Sequence, residues 1–304
     1  MTKKTIAKYA LCALALGLAM FGTARAQAQN LVIGGKNFTE QLLLSDMTAQ
    51  YLRAKGYDTD LKNGLGTTLM RSALESGQID IVWDYTGTAL IVYNHIEDKL
   101  DPDQIYQKVK ELDAPRGLTW LNQSELNNTY AFAMPREVAE KYHIHSLQDL
   151  ANRINEDDKE GNKQHLLGVD YEFASRPDGL GPMQALYGFK LDRSEVKQMD
   201  PGLVYTALKN EQLFVGLTYA SDGRIKGFDL QLLEDDKGYF AAYKATPVVR
   251  QEILDKNPKL AEQLNALAAK IDTATMTELN KRVDIDQEPV AKVAADFLKQ
   301  AGLI

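Results

Sequence analysis

Short apolar strands alternate with amphipathic helices along most of the chain, and this alternation limits the possible folds more than any other feature. Residues 31–33 predict a strand, and the turn Gly34-Gly35 separates it from a helix predicted at about 38–55. Asn37 and Glu40 give that helix a start that resembles a capping box. Strands that alternate with helices of this length predict an α/β protein.

The alternation continues towards the C-terminus. Further strands are predicted at 79–83 and 129–134, and Ser146 with Asp149 forms a second start of the capping-box type. The tail from Pro247 onward predicts mostly helix, at 249–256, 258–271, 274–282 and 288–302. The sequence contains no low-complexity linker and no internal repeat. If the chain forms two lobes, we therefore expect strands rather than a loose tether to connect them.

The N-terminal residues have the pattern of a secretory signal peptide. Three lysines precede an apolar run at 9–21, and small residues follow at Ala24, Ala26 and Ala28. The apolar run is shorter than the ~20 residues that a transmembrane helix needs, which disfavours the alternative of a retained membrane anchor. We therefore predict that residues 1–28 are removed, with cleavage after Ala26 or Ala28, and that the protein is exported to the periplasm.

The single cysteine and the charge exclude several classes of function. Cys12 lies inside the predicted signal peptide, and Leu11 before it is too large for a lipoprotein signal, so we expect a mature chain without thiol chemistry. The formal net charge of the whole chain is −7, and removing the four basic residues of the signal leaves −11. An acidic protein is not expected to bind nucleic acid or an anionic membrane surface.

The sequence contains no motif of a catalytic or metal site. Its histidines are scattered, without the H-E-x-x-H spacing of zinc enzymes, and neither a G-x-S-x-G elbow nor a Walker loop occurs. We therefore predict no catalytic residues, no metal and no cofactor. Tyrosines give a different signal, because four of them stand at strand ends or in short turns, where a cleft lining is expected: Tyr85, Tyr130, Tyr219 and Tyr243. Position alone leaves open whether each ring lies in the core, on the surface or at a ligand.

Longer segments around these tyrosines resemble the osmoprotectant-binding proteins of ABC importers, the group for glycine betaine, carnitine and choline. The likeness covers essentially all of the mature chain in the same order, and Ile271-Asp272-Thr273-Ala274-Thr275-Met276 in the tail is also similar. The segments that carry it are Gly34-Gly35-Lys36-Asn37-Phe38-Thr39-Glu40, Asp84-Tyr85-Thr86-Gly87-Thr88, Asn128-Thr129-Tyr130-Ala131-Phe132 and Tyr219-Ala220-Ser221-Asp222-Gly223-Arg224-Ile225.

The resemblance implies a two-lobed periplasmic-binding-protein fold, type II-like, with the ligand cleft between the lobes. On this basis we expect one lobe at 30–133 plus 221–304 and the other at 134–220. The implied partners are a small quaternary ammonium ligand and an ABC permease with its ATPase, and the protein is expected to act as a monomer without enzymatic activity. The alternatives are a binding protein for choline or for another polar solute such as an amino acid, and a periplasmic enzyme on a similar scaffold.

In that family the trimethylammonium head of the ligand lies in a box of tyrosines, and the matching positions are the four tyrosines named above. A quaternary ammonium has no N–H to donate, so ring faces can select it by cation–π attraction. The resemblance also implies a carboxylate site at Lys36 and Thr88, and a lysine there would favour betaines over choline. Lys36 could instead be a solvated loop residue, and Arg176 either a cross-lobe contact or a surface salt bridge. The helix that begins near Thr67 could direct backbone N–H groups at the same anion.

Overall fold

The computed structural model describes residues 30–162 and 165–304. The predicted signal peptide at 1–28 lies outside the described residues. Within the described ranges no helix is both long and apolar enough to cross a bilayer.

Two five-stranded mixed sheets form the framework of the described chain. The strands are β1 (Asn30–Lys36), β2 (Asp58–Leu65), β3 (Ile81–Tyr85), β4 (Leu118–Trp120), β5 (Tyr130–Pro135), β6 (Leu167–Val169), β7 (Val196–Gln198), β8 (Val215–Tyr219), β9 (Leu230–Leu233) and β10 (Ala245–Arg250). The first sheet has the order β2-β1-β3-β10-β4, and the second has the order β7-β6-β8-β5-β9. In the first sheet β2, β1 and β3 run parallel to one another, and β10 lies antiparallel between β3 and β4. In the second sheet β7, β6 and β8 run parallel to one another, and β5 lies antiparallel between β8 and β9.

Helices pack on both sheets and complete the α/β architecture that the alternation predicts. They are α1 (Thr39–Ala54), α2 (Thr67–Glu75), α3 (Thr86–Thr88), α4 (Pro102–Asp113), α5 (Arg136–Tyr142), α6 (Leu147–Glu160), α7 (Leu180–Tyr187), α8 (Pro201–Lys209), α9 (Arg224–Gly227), α10 (Gln251–Lys256), α11 (Leu260–Ala268), α12 (Thr273–Asp284) and α13 (Val290–Gln300). A π-helical turn at Ala89–Tyr93 follows α3, and a 3₁₀ turn at Ala114–Arg116 follows α4.

The chain passes between the sheets twice, which differs from the expected lobe boundaries. Strand β5 begins at Tyr130 and already belongs to the second sheet, and so does β9 at Leu230–Leu233, which the sequence analysis had assigned to the first lobe. The crossings therefore lie before Tyr130 and after Leu233. They run side by side, because Asn127 forms an antiparallel bridge with Lys244 and the N–H of Asn128 donates to the carbonyl of Tyr243 at 3.1 Å.

The strands β2, β4, β7, β9 and β10 were not predicted from the sequence, and β10 is the one among them that replaces a predicted helix. The prediction of helix from residue 249 is wrong for the first residues, because β10 runs to Arg250 and pairs with β3 and β4 on its two sides. Pro247 lies opposite Trp83 in this strand. A proline inside a sheet strand is unusual because it cannot donate to the ladder. The long-range pairing of this β-branched segment outweighs the local turn signal.

The start of α1 also differs from its prediction and matters for the site. Phe38 is the N-cap residue and no side chain caps the helix, so Asn37 and Glu40 do not form a capping box. The side chain of Glu40 is instead buried inside the protein. The second predicted capping box is confirmed, because Ser146 accepts from the N–H of Asp149, whose side chain accepts from the N–H of Ser146.

Candidate ligand-binding site

A cavity of about 80 Å³ lies where the facing strand ends of the two sheets meet. Its lining includes residues that follow β1 and β3 in the first sheet and residues of β5 and β8 in the second. All six residues that the sequence analysis singled out contribute to this one lining. They are Lys36, Tyr85, Thr88, Tyr130, Tyr219 and Tyr243.

Strand register brings the four tyrosines together. Tyr130 and Tyr219 are direct cross-strand partners at the ends of β5 and β8, which puts their side chains on the same face. Tyr85 ends β3 opposite Ala245, and Tyr243 lies two residues before that partner on the second crossing. Two rings therefore come from the second sheet, one from the first and one from the connection between them.

The rings form a continuous series around the cavity. The centroid of Tyr130 lies 5.4 Å from that of Tyr219 and 5.3 Å from that of Tyr243, the latter ring being nearly perpendicular. Phe38 stacks on Tyr219 with parallel planes at 5.4 Å and lies 6.4 Å from Tyr85. These separations lie within the range of favourable aromatic pairs, so the rings support one another as a rigid wall.

Gly87 allows one of these rings to approach the backbone closely. A Cβ atom at this position would lie 2.8 Å from the ring of Tyr243 and 2.8 Å from the carbonyl oxygen of Ala242. Atoms do not approach so closely without displacement, so only glycine fits between α3 and the second crossing. The position of Tyr243 thus depends on a residue without a side chain.

Three of the tyrosine hydroxyls donate to carboxylates that are buried or, for Asp178, partly buried. Tyr85 donates to Glu40 at 2.6 Å, Tyr219 donates to Asp170 at 2.8 Å, and Tyr243 donates to Asp178. Burial raises the pKa of all three phenols well above the ordinary value, so the hydroxyls stay protonated and act as donors. The hydroxyl of Tyr130 has no such partner within the described residues, and burial likewise raises its pKa.

Glu40 connects the cage to the first crossing at Asn128 and to Ser221, which follows β8 of the second sheet. Besides Tyr85, its carboxylate accepts from the side-chain amide of Asn128 at 2.8 Å and from the hydroxyl of Ser221 at 2.5 Å. Burial raises the pKa of Glu40, and nearby Asp222 adds to this, while the three hydrogen bonds act in the opposite direction. The other amide atom, Oδ1 of Asn128, is buried without a hydrogen-bond partner in the described chain, and Asn128 lines the cavity.

Two buried cations also lie at the rings. The ammonium of Lys36 lies 5.2 Å from the centroid of Tyr85 and 3.1 Å from the carboxylate of Asp84. Only 4% of Lys36 is exposed, so it is not a solvated loop lysine. Arg176 is 8% exposed, lies 5.4 Å from the centroid of Tyr130 and pairs with Asp178 through Nε and Nη2. The interpretation of Arg176 as a surface salt bridge is therefore wrong.

Lys36, Arg176 and Thr88 keep donors that no acceptor of the described residues uses. The described residues provide no hydrogen bond to Nη1 of Arg176 or to the hydroxyl of Thr88, and Lys36 uses one of its three N–H bonds on Asp84. All three side chains line the cavity. The cavity therefore joins an aromatic wall to a cluster of hydrogen-bond donors with two positive charges, which is the arrangement that a zwitterion with a bulky cationic head requires.

The N-terminus of α2 holds an anion that belongs to the protein itself. The carboxylate of Glu172 accepts from the backbone N–H of Thr67 at 2.8 Å and from its hydroxyl at 2.6 Å. The expectation that this helix end directs its N–H groups at a ligand carboxylate is therefore not met at Thr67, whose N–H Glu172 occupies. Glu172 comes from the second lobe and Thr67 from the first, so the contact closes the cleft.

Some residues of the lining were not identified as site residues from the sequence. Phe38, Asp170 and Glu172 were missed, although Phe38 stands in the segment after β1 that carries the resemblance. Its position at the end of β1 is the same kind of signal as that of the tyrosines. Across the described ranges, no three histidine, cysteine or acidic side chains come together in a way that could hold a metal ion.

Comparisons with known proteins agree with this geometry. The sequence family described as the substrate binding domain of ABC-type glycine betaine transport system matches residues 29–300. A glycine-betaine-binding protein of Pseudomonas aeruginosa is 52% identical over 295 residues, which cover 97% of this chain and 94% of that protein. The glycine betaine-binding protein YehZ of Escherichia coli is 33% identical, with 90% of this chain and 92% of that protein covered.

A solved structure gives the same result at the level of the fold. The crystal structure of a glycine betaine/carnitine/choline ABC transporter protein superposes with a TM-score of 0.72 at 32% sequence identity. The superposition covers 90% of this chain and 99% of that one.

Proposed function

The chain belongs to the family of substrate-binding domains of ABC-type glycine betaine transport systems, and on that premise we propose that it captures a betaine in the cavity between its lobes. The role is one of binding, without chemical change of the ligand. Glycine betaine carries a trimethylammonium group at one end and a carboxylate at the other, and it is the ligand that suits the cavity best.

One observation carries the proposal. Four tyrosine rings and three donor side chains, Lys36, Thr88 and Arg176, line a single cavity that both sheets enclose. Either set alone would fit many ligands, but their combination fits a molecule with a diffuse positive charge and a carboxylate close to each other. A ligand that touches both lobes stabilises the closed form, because its contacts are complete only there.

The ammonium end is recognised by ring faces and by an unpaired acceptor. The face of an aromatic ring is the negative part of its quadrupole, and each good cation–π contact contributes about 0.5–2 kcal/mol. Oδ1 of Asn128 is a buried acceptor without a partner in the described chain. Methyl groups on a quaternary nitrogen are polarised and supply weak C–H donors to such an oxygen.

The carboxylate end is recognised by Lys36, Thr88 and Arg176. We propose that Arg176 binds the ligand through Nη1 while Asp178 holds its other nitrogens, so that the guanidinium is fixed before the ligand arrives. Choline has the cationic head without the carboxylate, so it leaves these donors unpaired. We therefore expect the protein to prefer zwitterionic betaines to choline.

Thermal unfolding and titration calorimetry with four ligands test the proposal. A ligand that binds only the folded protein raises the melting temperature, and the rise grows with affinity. We expect a large shift with glycine betaine, a smaller one with carnitine or choline, and none with a neutral or acidic amino acid. Binding of an amino acid without binding of betaine, or equal affinity for choline and betaine, would contradict the proposal.

Family members work with a membrane permease, and we propose a specific contact surface for it. Leu69 on α2 and Tyr171 and Leu203 in the second lobe are exposed by 59%, 59% and 56%, and each adjoins residues of the cavity lining. Closure brings these apolar side chains from both lobes to the same rim. Leu69→Ser and Leu203→Ser should therefore abolish transport in reconstituted vesicles while calorimetry records unchanged betaine binding, since neither residue lines the cavity as Tyr171 does.

Export and assembly complete the proposed function. We propose that the N-terminal 28 residues direct the chain to the periplasm and are then cleaved, and that the mature protein acts as a monomer. Its lobes, redrawn from the sheets, comprise 30–129 with 234–304 and 130–233. Mass spectrometry of the periplasmic fraction tests the cleavage site, and sedimentation equilibrium tests the monomer.

A further inference from the structure

Three carboxylates around the aromatic cage share one arrangement, although only Asp170 among them also lines the cavity. Glu40, Asp170 and Asp178 each accept the hydroxyl proton of one cage tyrosine. They come from three places in the chain: the first turn of α1, the end of β6, and the loop before α7. Independent segments thus supply the same kind of acceptor to the same kind of ring.

The buried tyrosine hydroxyls do not need a charged group as their hydrogen-bond acceptor. A buried phenol needs a hydrogen-bond acceptor, and a carbonyl or amide oxygen serves that purpose at a smaller desolvation cost. Burial raises the pKa of both Glu40 and Asp170, which records the cost of keeping these groups ionised there. Three donors converge on Glu40, and Asp170 accepts from the N–H of Phe173 as well as from Tyr219; these hydrogen bonds favour the charged form of each group and oppose the effect of burial.

A charged acceptor changes what the ring can bind. Donating to a carboxylate shifts electron density from the O–H bond into the phenol, because hydrogen-bonded groups polarise one another in a low-dielectric interior. The ring face becomes more negative and attracts a cation more strongly. The buried negative charges add a local potential of the same sign.

We propose that Glu40, Asp170 and Asp178 are specificity-determining residues that make the tyrosine cage select a positive charge over a neutral group of the same shape. They act through Tyr85, Tyr219 and Tyr243; Glu40 and Asp178 lie outside the cavity lining, whereas Asp170 is part of it. This inference rests on the proposed function, since it concerns how the same cage recognises its ammonium ligand.

A pair of isosteric ligands isolates the effect of charge. In 3,3-dimethylbutanoate a carbon replaces the quaternary nitrogen of glycine betaine, so the shape and the carboxylate are kept and the positive charge is lost. Calorimetry at pH 8 gives the affinity ratio of betaine to this isostere for each variant. We expect Glu40→Gln and Asp170→Asn each to lower the ratio by about 3- to 10-fold, mainly by weakening betaine.

Two further substitutions separate selection of charge from packing. Tyr130→Phe removes a cage hydroxyl that has no carboxylate partner in the described chain, so it should weaken both ligands by the same factor and keep the ratio. Asp286→Asn removes a negative charge from the exposed end of α12 and should change neither affinity. Glu40→Gln removes the charge from the same hydrogen bond that Tyr85→Phe removes altogether, so their effects on the ratio should not add.

The outcomes distinguish the inference from the function on which it rests. If unaltered protein binds betaine and the isostere equally, or binds neither, the proposed function fails. If it prefers betaine strongly and the Glu40 and Asp170 variants keep the same ratio, the carboxylates only hold the rings in place and the inference is overturned. A fall of the ratio in the Tyr130 variant equal to that in the Tyr85 variant would also overturn it.

Discussion

The carboxylate of Glu172 accepts both the backbone N–H and the hydroxyl of Thr67, so the protein places an anion of its own at the N-terminus of α2. A helix N-terminus favours negative charge because its first N–H groups are unpaired and the helix dipole adds to them. Thr67 lies in the lobe of the first sheet and Glu172 in the lobe of the second, so this contact spans the cleft and favours the closed arrangement. The contact between Glu172 and Thr67 therefore stabilises the closed arrangement of the lobes in addition to any bound ligand.

Removal of this contact should favour the open form. We expect Glu172→Gln to increase the radius of gyration of the ligand-free protein in small-angle scattering and to weaken betaine about 5-fold, since the closed form that binds betaine loses a charged hydrogen bond. Thr67→Val removes one of the two donors and should have a smaller effect. An unchanged radius together with unchanged affinity would contradict the role of Glu172 as a clamp.

Substitution of Lys36 should reveal which end of the ligand it binds. Lys36→Met combined with Asp84→Asn removes the buried pair without leaving one charge unmatched. We expect calorimetry to record at least about a 10-fold loss of betaine affinity and a smaller loss for choline, which has no carboxylate. Lys62→Met, an exposed lysine on β2, is the matched control. Equal losses for both ligands would mean that Lys36 only supports the ring of Tyr85.

Gly87 offers a test that changes no ligand contact. A methyl group at this position meets Tyr243 and the backbone of Ala242 at 2.8 Å, so Gly87→Ala should displace the ring. We expect a loss of about 1–3 kcal/mol in the free energy of unfolding and a weaker affinity for betaine. Gly181→Ala in α7 has open space around the added methyl and should leave both quantities nearly unchanged. Normal affinity in the Gly87 variant would show that the cage tolerates movement of Tyr243.

The buried Glu40 should give the ligand-free protein a recognisable dependence of stability on pH. Burial raises its pKa in the folded state above the ordinary value of 4.5, so the folded form binds the proton more tightly than the unfolded form. Its contribution to stability is therefore full below pH 4.5 and declines as the pH rises through the higher folded pKa. Tyr85 and Asp222 are the titratable groups beside it.

Denaturant unfolding of the unaltered protein and of Glu40→Gln, compared between pH 4 and 8, measures this contribution. The difference in the free energy of unfolding between the two proteins should change with pH in the stated direction. Lowered pKa values elsewhere, such as that of Asp113 beside Arg71, act in both proteins and cancel in the difference. A difference that stays constant across this range would contradict a raised pKa for Glu40.

Local pattern in the sequence predicted much of the framework but not the partners within it. Apolar periodicity located the strands that carry Tyr85, Tyr130 and Tyr219, because those strands are buried on both faces. It failed for β10, whose strand conformation depends on pairing with β3 and β4 on either side. It also misplaced the second crossing, because β9 belongs to the second sheet through its long-range pairing with β5.

The candidate site was likewise predicted only in part from the sequence. Residue type and position brought out the four tyrosines, Lys36 and Thr88, while their roles in binding stay predictions. Glu40 illustrates what local pattern misses, because its spacing from Asn37 suggested a helix cap while its true partners lie 45, 88 and 181 residues away. Arg176 was misjudged for a similar reason, since burial by two cage rings cannot be read from its neighbours in sequence.

The paired crossings at Asn127 and Lys244 make the second lobe a contiguous insertion with adjoining ends. Such an insertion can be exchanged as one cassette between homologous chains without altering the order of the remaining strands. Each cassette would bring Tyr130, Tyr219 and Arg176, and each recipient would keep Lys36, Tyr85 and Thr88. New ligand preferences can therefore arise by recombination of two half-sites, with two junctions per exchange rather than a series of point substitutions.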